Sequence, residues 1–182
     1  MKPPHLALLS STLQKVLANA HRQTRVTRTY DPAYVSIPYP NGDVPPERGV
    51  CADVIVRAYR AGGVDLQKAV HDDMRAHFAA YPKLWGLRRP DPNIDHRRVA
   101  NLRTFFKRRG QALPVTSKPA DYRPGDLVAW ELPGGRLHIG LVSDQNVPGT
   151  DRRTVIHNVG AGTRQEDVLL AWTIIGHYRS FR

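Results

Sequence analysis

The sequence lacks the features that mark several common classes of protein. Its 182 residues include one cysteine, Cys51, so no disulfide can form within the chain. No run approaches the roughly 20 apolar residues that a membrane-spanning helix needs, and there is no internal repeat or low-complexity tract. A hydrophobic fraction of 41% and a charged fraction of 24% are ordinary for a folded protein. The chain is therefore expected to form a single globular unit without a membrane span.

Acidic residues are scarce relative to basic ones. The chain has 27 Lys and Arg against 16 Asp and Glu, which gives a net charge of +11. Such a surface attracts anionic polymers, among them nucleic acid, anionic lipid and bacterial cell wall. The basic residues are spread along the chain, so solubility explains them equally well. The short basic stretches lack the interleaved aromatics of nucleic-acid recognition motifs, and we expect no nucleic-acid partner.

The N-terminal 29 residues predict a helix that packs on the rest of the domain. Gln14 and Lys15 interrupt the place where the apolar core of a signal peptide would lie, so we expect no signal peptide in this chain. Apolar residues recur instead at spacings of three and four, which is typical of one face of an amphipathic helix. These residues are Leu6, Leu9, Leu13, Val16, Leu17 and Ala20.

Three further helices are expected before residue 111. Residues 30–48 are rich in Pro, Gly, Asn and Tyr and predict an ordered loop. A helix is predicted from Cys51 to Gly62, with Arg57 and Arg60 facing outward, and another over 66–81. Asp95 is predicted to cap a helix that ends at Gly110.

After Gly125 the pattern changes to short apolar or alternating runs. They predict strands over 126–132, 137–143, 154–159 and 172–181, with the first three joined as hairpins. Helices followed by an antiparallel sheet indicate an α+β fold with segregated elements.

Cys51 is the leading candidate for chemistry. It lies in the first turn of a predicted helix, where unpaired amides and the helix dipole favour an anion and lower the pKa of a thiol. A thiolate there is a nucleophile. The alternative is a small buried apolar residue, because Cys51 shares a helix face with Val54, Ile55 and Ala58.

A cysteine nucleophile needs a base and a group that orients that base. His138 begins one predicted strand, and Gly140 beside it leaves space for a helix terminus to approach. On the next strand His157 and Asn158 face opposite ways, so only one of them can point at His138, and a register slip of one residue exchanges them. Zinc-ligand spacing is absent around Cys51, His138 and His157, and no metal is expected.

The order of these motifs resembles the NlpC-type papain-like cysteine peptidases of bacterial cell walls. The relevant segments are the cysteine helix, Pro-Gly-Asp-Leu-Val at 124–128, His-Ile-Gly at 138–140 and Ile-His at 156–157. Four motifs resemble more closely a bacterial family known as a domain of unknown function within that group. They are Tyr-Pro-Asn-Gly-Asp (39–43), Gly-Val-Cys-Ala-Asp (49–53), Ile-Asp-His-Arg-Arg (94–98) and Ile-His-Asn (156–158).

The resemblance covers residues 30–182 and implies a papain-like domain with N-terminal helices packed on a C-terminal sheet. It implies a cysteine peptidase or amidase without a cofactor, in which Cys51 is the nucleophile, His138 the base and His157 the orienting group. The substrate would be the stem peptides of peptidoglycan. Most relatives read Asp-Cys-Ser-Gly where this chain reads Val-Cys-Ala-Asp (50–53), so the contacts of the usual Asp and Ser do not transfer.

Substrate contacts are expected from Tyr39, Asp53 and Asn158, and Asp53 is also expected to help cap the cysteine helix. The charge of Asp53 opposes ionisation of Cys51. The expected place of action is the periplasm or the outside of the cell. The expected partner is peptidoglycan, with an immunity or secretion protein as a further possibility for an antibacterial effector and a monomer as the active form.

Two other classes of function stay open. A catalytically inactive module that binds the cell wall would keep the fold without the chemistry. A basic nucleic-acid-binding protein would show a steep dependence on salt.

Overall fold

The computed structural model describes residues 9–181, which form four α-helices and seven strands. The helices are α1 (Ser11–Val26), α2 (Cys51–Ala61), α3 (Leu66–His77) and α4 (Val99–Arg108). The strands are β1 (Thr29–Tyr30), β2 (Arg48–Gly49), β3 (Leu127–Leu132), β4 (Arg136–Asn146), β5 (Arg153–Asn158), β6 (Thr163–Glu166) and β7 (Thr173–Tyr178). No helix among residues 9–181 is long and apolar enough to cross a membrane.

Five strands form one antiparallel sheet in the order β6-β5-β4-β3-β7, and the short β1 and β2 pair in parallel beside it. The helices precede the sheet in the chain and cover one face of it. The predicted α+β class, with N-terminal helices packed on a C-terminal antiparallel sheet, is therefore confirmed. Sequence analysis missed β6, because its residues 163–166 are mostly polar and it is only a short edge strand.

The main core lies between α2 and the sheet. The α2 sequence is apolar nearly all round, and residues 51–59 are all buried, as expected for a helix enclosed by other elements. It packs against the helix-facing side chains of the sheet, which are Leu127, Ala129, Ile139, Leu141 and Ile156. The helix ends at Ala61 with Gly62 as its C-cap, one residue from the predicted end.

The other face of the sheet is also buried. Trp130, Val142 and Val155 pack there under Tyr122 and Leu169. A Cβ on Gly140 would lie 2.7 Å from Val155 and 3.1 Å from the Trp130 ring. The prediction that Gly140 makes room for a helix terminus is therefore wrong, because this glycine makes room for a tryptophan.

Two predicted helix starts differ from the structure. The amphipathic face of α1 is buried in the main core at Leu13, Val16, Leu17 and Ala20, whereas Leu6 lies outside the described residues. Ser10 caps α1 by accepting a hydrogen bond from the Leu13 amide. Asp95 is not an N-cap of α4: it begins a separate 3₁₀ turn (Asp95–Arg97), and α4 starts four residues later.

Buried ion pairs hold the loop that leads into α2. Asp53 accepts hydrogen bonds from the Val50 amide at 2.6 Å and from the Arg97 guanidinium at 2.9 and 3.0 Å. Arg97 also donates to the carbonyls of Ala33 and Asp31. These contacts confirm that Asp53 caps α2, and they join the segment before Cys51 to two other loops.

Arg57 does not face outward as predicted. Its guanidinium is buried and donates to both carboxylate oxygens of Asp43 and to the carbonyls of Val44, Pro45 and Arg48. The loop over 30–48 is thus folded around a buried cation, which a helical pattern of apolar residues does not reveal.

Removal of Asp53 should destabilise the protein strongly, because Asp53→Ala leaves the Arg97 guanidinium buried without its charge partner. The side chains of the pair are only 2% and 3% exposed. Breaking a buried pair from one side costs about 3–5 kcal/mol of unfolding free energy, which urea denaturation measures. The matched control is Asp72→Ala, whose ion pair with Lys68 is exposed and should contribute far less. Equal losses in the two variants would contradict this account of the loop.

Candidate active site

Cys51 lies at the floor of a groove of about 510 Å³. Cys51 is the first residue of α2 and is only 4% exposed. One wall comes from the loop around residues 30–34, another from 84–85, and a third from the start of α4. The lining residues are Tyr30, Pro32, Tyr34, Val50, Leu84, Trp85, Ile94, Arg97, Arg98, Val99, Ala100 and Leu137.

The environment of Cys51 keeps its thiol protonated. Burial, with a smaller contribution from the Asp53 charge, raises the pKa of the Cys51 thiol to about 11. The backbone amides of Ile139, Ala52 and Cys51 act in the opposite direction, because they favour a thiolate. In this conformation the increase in pKa that burial causes is larger than the decrease that the amides at the helix start cause. The position of Cys51 alone therefore does not produce the low pKa that the sequence predicts.

The two predicted strand histidines do meet, and they form a chain with an acidic residue. His138 Nε2 lies 2.9 Å from His157 Nδ1, and His157 Nε2 lies 3.0 Å from Glu166 Oε2. An ionised carboxylate only accepts, so His157 donates from Nε2 and accepts at Nδ1. His138 then donates from Nε2, which leaves its Nδ1 as the basic nitrogen. His157, and not Asn158, is therefore the residue that points at His138.

Both imidazoles are held neutral. Burial lowers the pKa of His138 to about 3, assisted by the charges of His157 and Arg136. Burial also lowers the pKa of His157, while Glu166 opposes that change. The rings of Trp130 and Trp172 enclose the pair, at 5.6 and 5.8 Å from the His138 ring centre. The result is a water-poor polar chain with one exposed end at Glu166.

The structure does not bring Cys51 and His138 into contact. Ile139 packs with Cys51 on the helix face of β4, and His138 stacks on Trp130 across the opposite face. No hydrogen bond joins their side chains among the contacts of residues 9–181. The described conformation therefore does not show the predicted pairing, which stays a prediction; neighbouring residues of a strand point to opposite faces, and His138 and Ile139 follow that rule. The Cys51 sulfur nevertheless lies next to the residue that follows His138 in β4, since the Ile139 amide faces Cys51.

The three residues predicted to contact substrate do not lie together in the groove. Asp53 is occupied by Val50 and Arg97, and Asn158 donates to the Gly49 carbonyl at 3.0 Å, so both hold the segment before Cys51 in place. Tyr39 does not line the groove: its hydroxyl donates to Asp72, and its ring contacts His71 on α3. The structure therefore gives Asp53 and Asn158 supporting positions and places Tyr39 on another surface.

Several residues of the site escaped sequence analysis. Glu166 belongs to the missed strand β6, and Trp172 precedes β7 without any motif around it. Trp85 and Arg98 also line the groove, and the sequence indicated Arg98 only as part of the Ile-Asp-His-Arg-Arg motif at 94–98. Within residues 9–181 no group of three or more His, Cys, Asp or Glu side chains is arranged to hold a metal ion.

The Cys51 thiol should react slowly with iodoacetamide, and its alkylation rate should keep rising up to about pH 11. An ordinary exposed thiol levels off near its pKa of about 8.5. The measurement is the labelled fraction against time at a series of pH values, with the urea-unfolded chain as the control. If the alkylation rate of the folded protein levelled off at a lower pH than that of the unfolded control, the free protein would already hold an ion pair of thiolate and imidazolium.

The buried imidazoles should make the protein sensitive to acid. The folded-state pKa of His138 lies below its ordinary value of 6.5, so the unfolded chain binds more protons as the pH falls from 6.5 towards about 3. Stability is unaffected above this window and declines within it. At about pH 5.5 His138 alone accounts for about 1 kcal/mol of that decline. His138→Gln should therefore lose about this much less than the wild type between about pH 7.5 and 5.5 in urea denaturation; identical losses would show that His138 does not titrate in this way.

Comparisons with known proteins found one similar crystal structure, one similar bacterial protein and one matching family. A crystal structure from Staphylococcus aureus subsp. aureus Mu50, described as similar to lipoprotein, NLP/P60 family, is similar with a TM-score of 0.47 and 12% identity. The similarity covers 95% of this chain and 42% of that one, so this chain spans less than half of its length. The uncharacterized protein YijF of Escherichia coli (strain K12) is 51% identical over 181 residues, which cover 98% of this chain and 87% of YijF. The family described as Domain of unknown function (DUF1287) matches residues 17–180, and the chain belongs to this family.

Proposed function

We propose that the protein is a cysteine-dependent amide hydrolase that acts on the stem peptides of bacterial peptidoglycan. The observation that carries the proposal is the convergence of two unusual groups on one strand. A thiol at the start of α2 lies against the Ile139 amide, and the adjacent residue, His138, ends a buried chain of two imidazoles and a carboxylate. Packing alone does not require two hydrogen-bonded histidines at this place.

In the proposed reaction the Cys51 proton passes to His138 Nδ1, and the thiolate attacks the carbonyl carbon of the substrate amide. The amide of Cys51, at the unpaired start of α2, helps to hold the resulting oxyanion. His138 returns the proton to the leaving amine, which leaves an acyl group on the sulfur. Water then attacks that thioester and gives its proton to His138, and the thiol and a carboxylic acid are released.

The reaction requires His138 to turn towards the groove. Residues 136–140 of β4 pair with β3 only, since the β5 partners of β4 are Leu141, Val142 and Asn146. The proposed active state therefore differs from the described one in the relative positions of the Cys51 and His138 side chains, while His138 Nε2 keeps its hydrogen bond to His157. Substrate bound in the groove would favour that state if it binds it more tightly.

Charge supports a cell-wall substrate. The net charge of +11 favours an anionic polymer, and the groove itself carries Arg97 and Arg98 among aromatic walls. The proposed place of action is accordingly the cell wall, in the periplasm or outside the cell.

A second candidate is a wall-binding module without catalysis. The raised pKa of Cys51 and its separation from His138 favour this alternative, because a protonated thiol without a base does not attack an amide. Both candidates predict binding to purified sacculi, and they differ in whether new peptide fragments appear.

Wild-type protein incubated with purified sacculi should release peptide fragments that mass spectrometry detects. Cys51→Ala should reduce the rate by about a thousandfold or more, as expected for loss of a nucleophile. His138→Ala should reduce it by about 100-fold to 10,000-fold, as expected for loss of a general base. The matched control is His77→Ala, an exposed histidine on α3 that should leave the rate unchanged.

Release by Cys51→Ala at the wild-type rate would overturn the proposal. Binding of wild-type protein to sacculi without any new fragment would favour the wall-binding module. Co-sedimentation with sacculi at low and high salt separates these outcomes, since electrostatic binding weakens as salt rises.

A further inference from the structure

The groove above Cys51 gathers much of the exposed apolar surface of the described chain. Nine large hydrophobic side chains of residues 9–181 are exposed, and four of them line this groove: Tyr30, Tyr34, Leu84 and Trp85. Exposed aromatic and aliphatic residues that surround one concavity are typical of a ligand-binding site. The feature that distinguishes this groove from a purely apolar one is Arg98.

Arg98 is a cation held in place without a hydrogen-bond acceptor. Its guanidinium lies 4.1 Å from the centre of the Trp85 ring, within the range of a cation–π contact. Its Nη1 atom is buried and has no hydrogen-bond partner among residues 9–181. The side chain is only 18% exposed, and the buried Nη1 donor is not hydrogen-bonded to bulk water in place of protein.

The neighbouring Arg97, unlike Arg98, has hydrogen-bond acceptors within the fold. Arg97 donates four hydrogen bonds, two to the Asp53 carboxylate and one each to the carbonyls of Ala33 and Asp31. Arg97 therefore serves the fold. Arg98, which follows it in the chain and lines the same groove, has its donors available for a ligand.

Asp95 is the carboxylate nearest to Arg98 and competes only weakly for it. Its Oδ1 lies 3.8 Å from Arg98 Nη1, beyond hydrogen-bond distance, and is itself without a partner among the described residues. Burial raises the pKa of Asp95 to about 6, so this carboxylate is still mostly ionised at neutral pH. Arg98 therefore has a carboxylate near it, but no acceptor at hydrogen-bond distance from Nη1.

We propose that Arg98 is a specificity-determining residue that binds a free carboxylate of a peptide lying in the groove, with Trp85 against the adjacent aliphatic part of that peptide. A guanidinium matches a carboxylate with two parallel hydrogen bonds, and the Trp85 ring restricts its orientation. The inference rests on the proposed function, because it treats the groove as the place where the substrate lies before Cys51 attacks.

The test measures binding in a Cys51→Ala background, so that hydrolysis does not interfere. Isothermal titration calorimetry compares a synthetic stem tetrapeptide that has free carboxylates with the same peptide in which they are amidated. Arg98→Gln should weaken binding of the free peptide by about tenfold or more, since a charged hydrogen bond is lost. It should leave binding of the amidated peptide unchanged. Arg98→Lys, which keeps the charge without the planar fork, should give an intermediate loss.

Two controls separate binding from folding. Arg89→Gln removes an exposed arginine near the groove and should bind like the parent protein. Thermal unfolding of the Arg98 variants should stay close to that of the parent, because the Arg98 side chain donates no hydrogen bond within residues 9–181 and its ion pair with Asp95 is long, at 3.8 Å. Trp85→Ala, at an exposed position, provides a second variant that should also weaken binding of the free peptide.

Unchanged affinity in Arg98→Gln, equal losses for the free and amidated peptides, or no binding of either peptide would each overturn the assignment. Failure of the proposed function looks different. Wild-type protein would then release no fragments from sacculi, while the dependence of binding on Arg98 and on the carboxylates would remain.

Discussion

The alternation of side chains along β4 governs the whole site. Residues 137, 139 and 141 face the helices, and residues 138, 140 and 142 face the layer that contains Trp130. The thiol of Cys51, at the start of α2, lies against Ile139 on one face of β4, and the imidazole of the preceding residue, His138, lies on the other face. Burial on both faces fixes this register, because a slip by one residue would exchange the apolar sets of two cores. At residues 136–140 the restraint is weaker, since only β3 pairs with that segment.

The start of α2 depends on a second constraint, the buried carboxylate of Asp53. It satisfies the Val50 amide before the helix and neutralises Arg97, which in turn binds the loop at residues 31–33. The same charge also disfavours a thiolate at Cys51. The side chain that positions the nucleophile thus makes its ionisation more difficult, and a proton acceptor must come close before the sulfur can react.

Local sequence patterns predicted the helices and most of the strands well, but they predicted the contacts between those elements less well. Helical spacing located α1 and α2, the run from 66 predicted α3, and turn residues separated the hairpins. A period of two placed His157 and Asn158 on opposite faces of their strand, and the family resemblance, rather than the period, indicated His157 as the partner of His138. Arg57 was misplaced because its acceptors come from a distant loop, and β6 was missed because an edge strand needs little apolar sequence. The separation of Cys51 from His138 could not be predicted either, because it depends on which face of β4 the helix covers.

The acidic end of the imidazole chain gives the buried pair an unusual property. His157 is wholly enclosed, whereas the side chain of Glu166 is 38% exposed, so one member of the chain is in contact with water. Two hydrogen bonds thus connect the buried His138 ring to a carboxylate that water reaches. The fixed tautomers of both imidazoles consequently depend on a side chain at the surface, because without Glu166 the Nε2 donor of the enclosed His157 would have no acceptor.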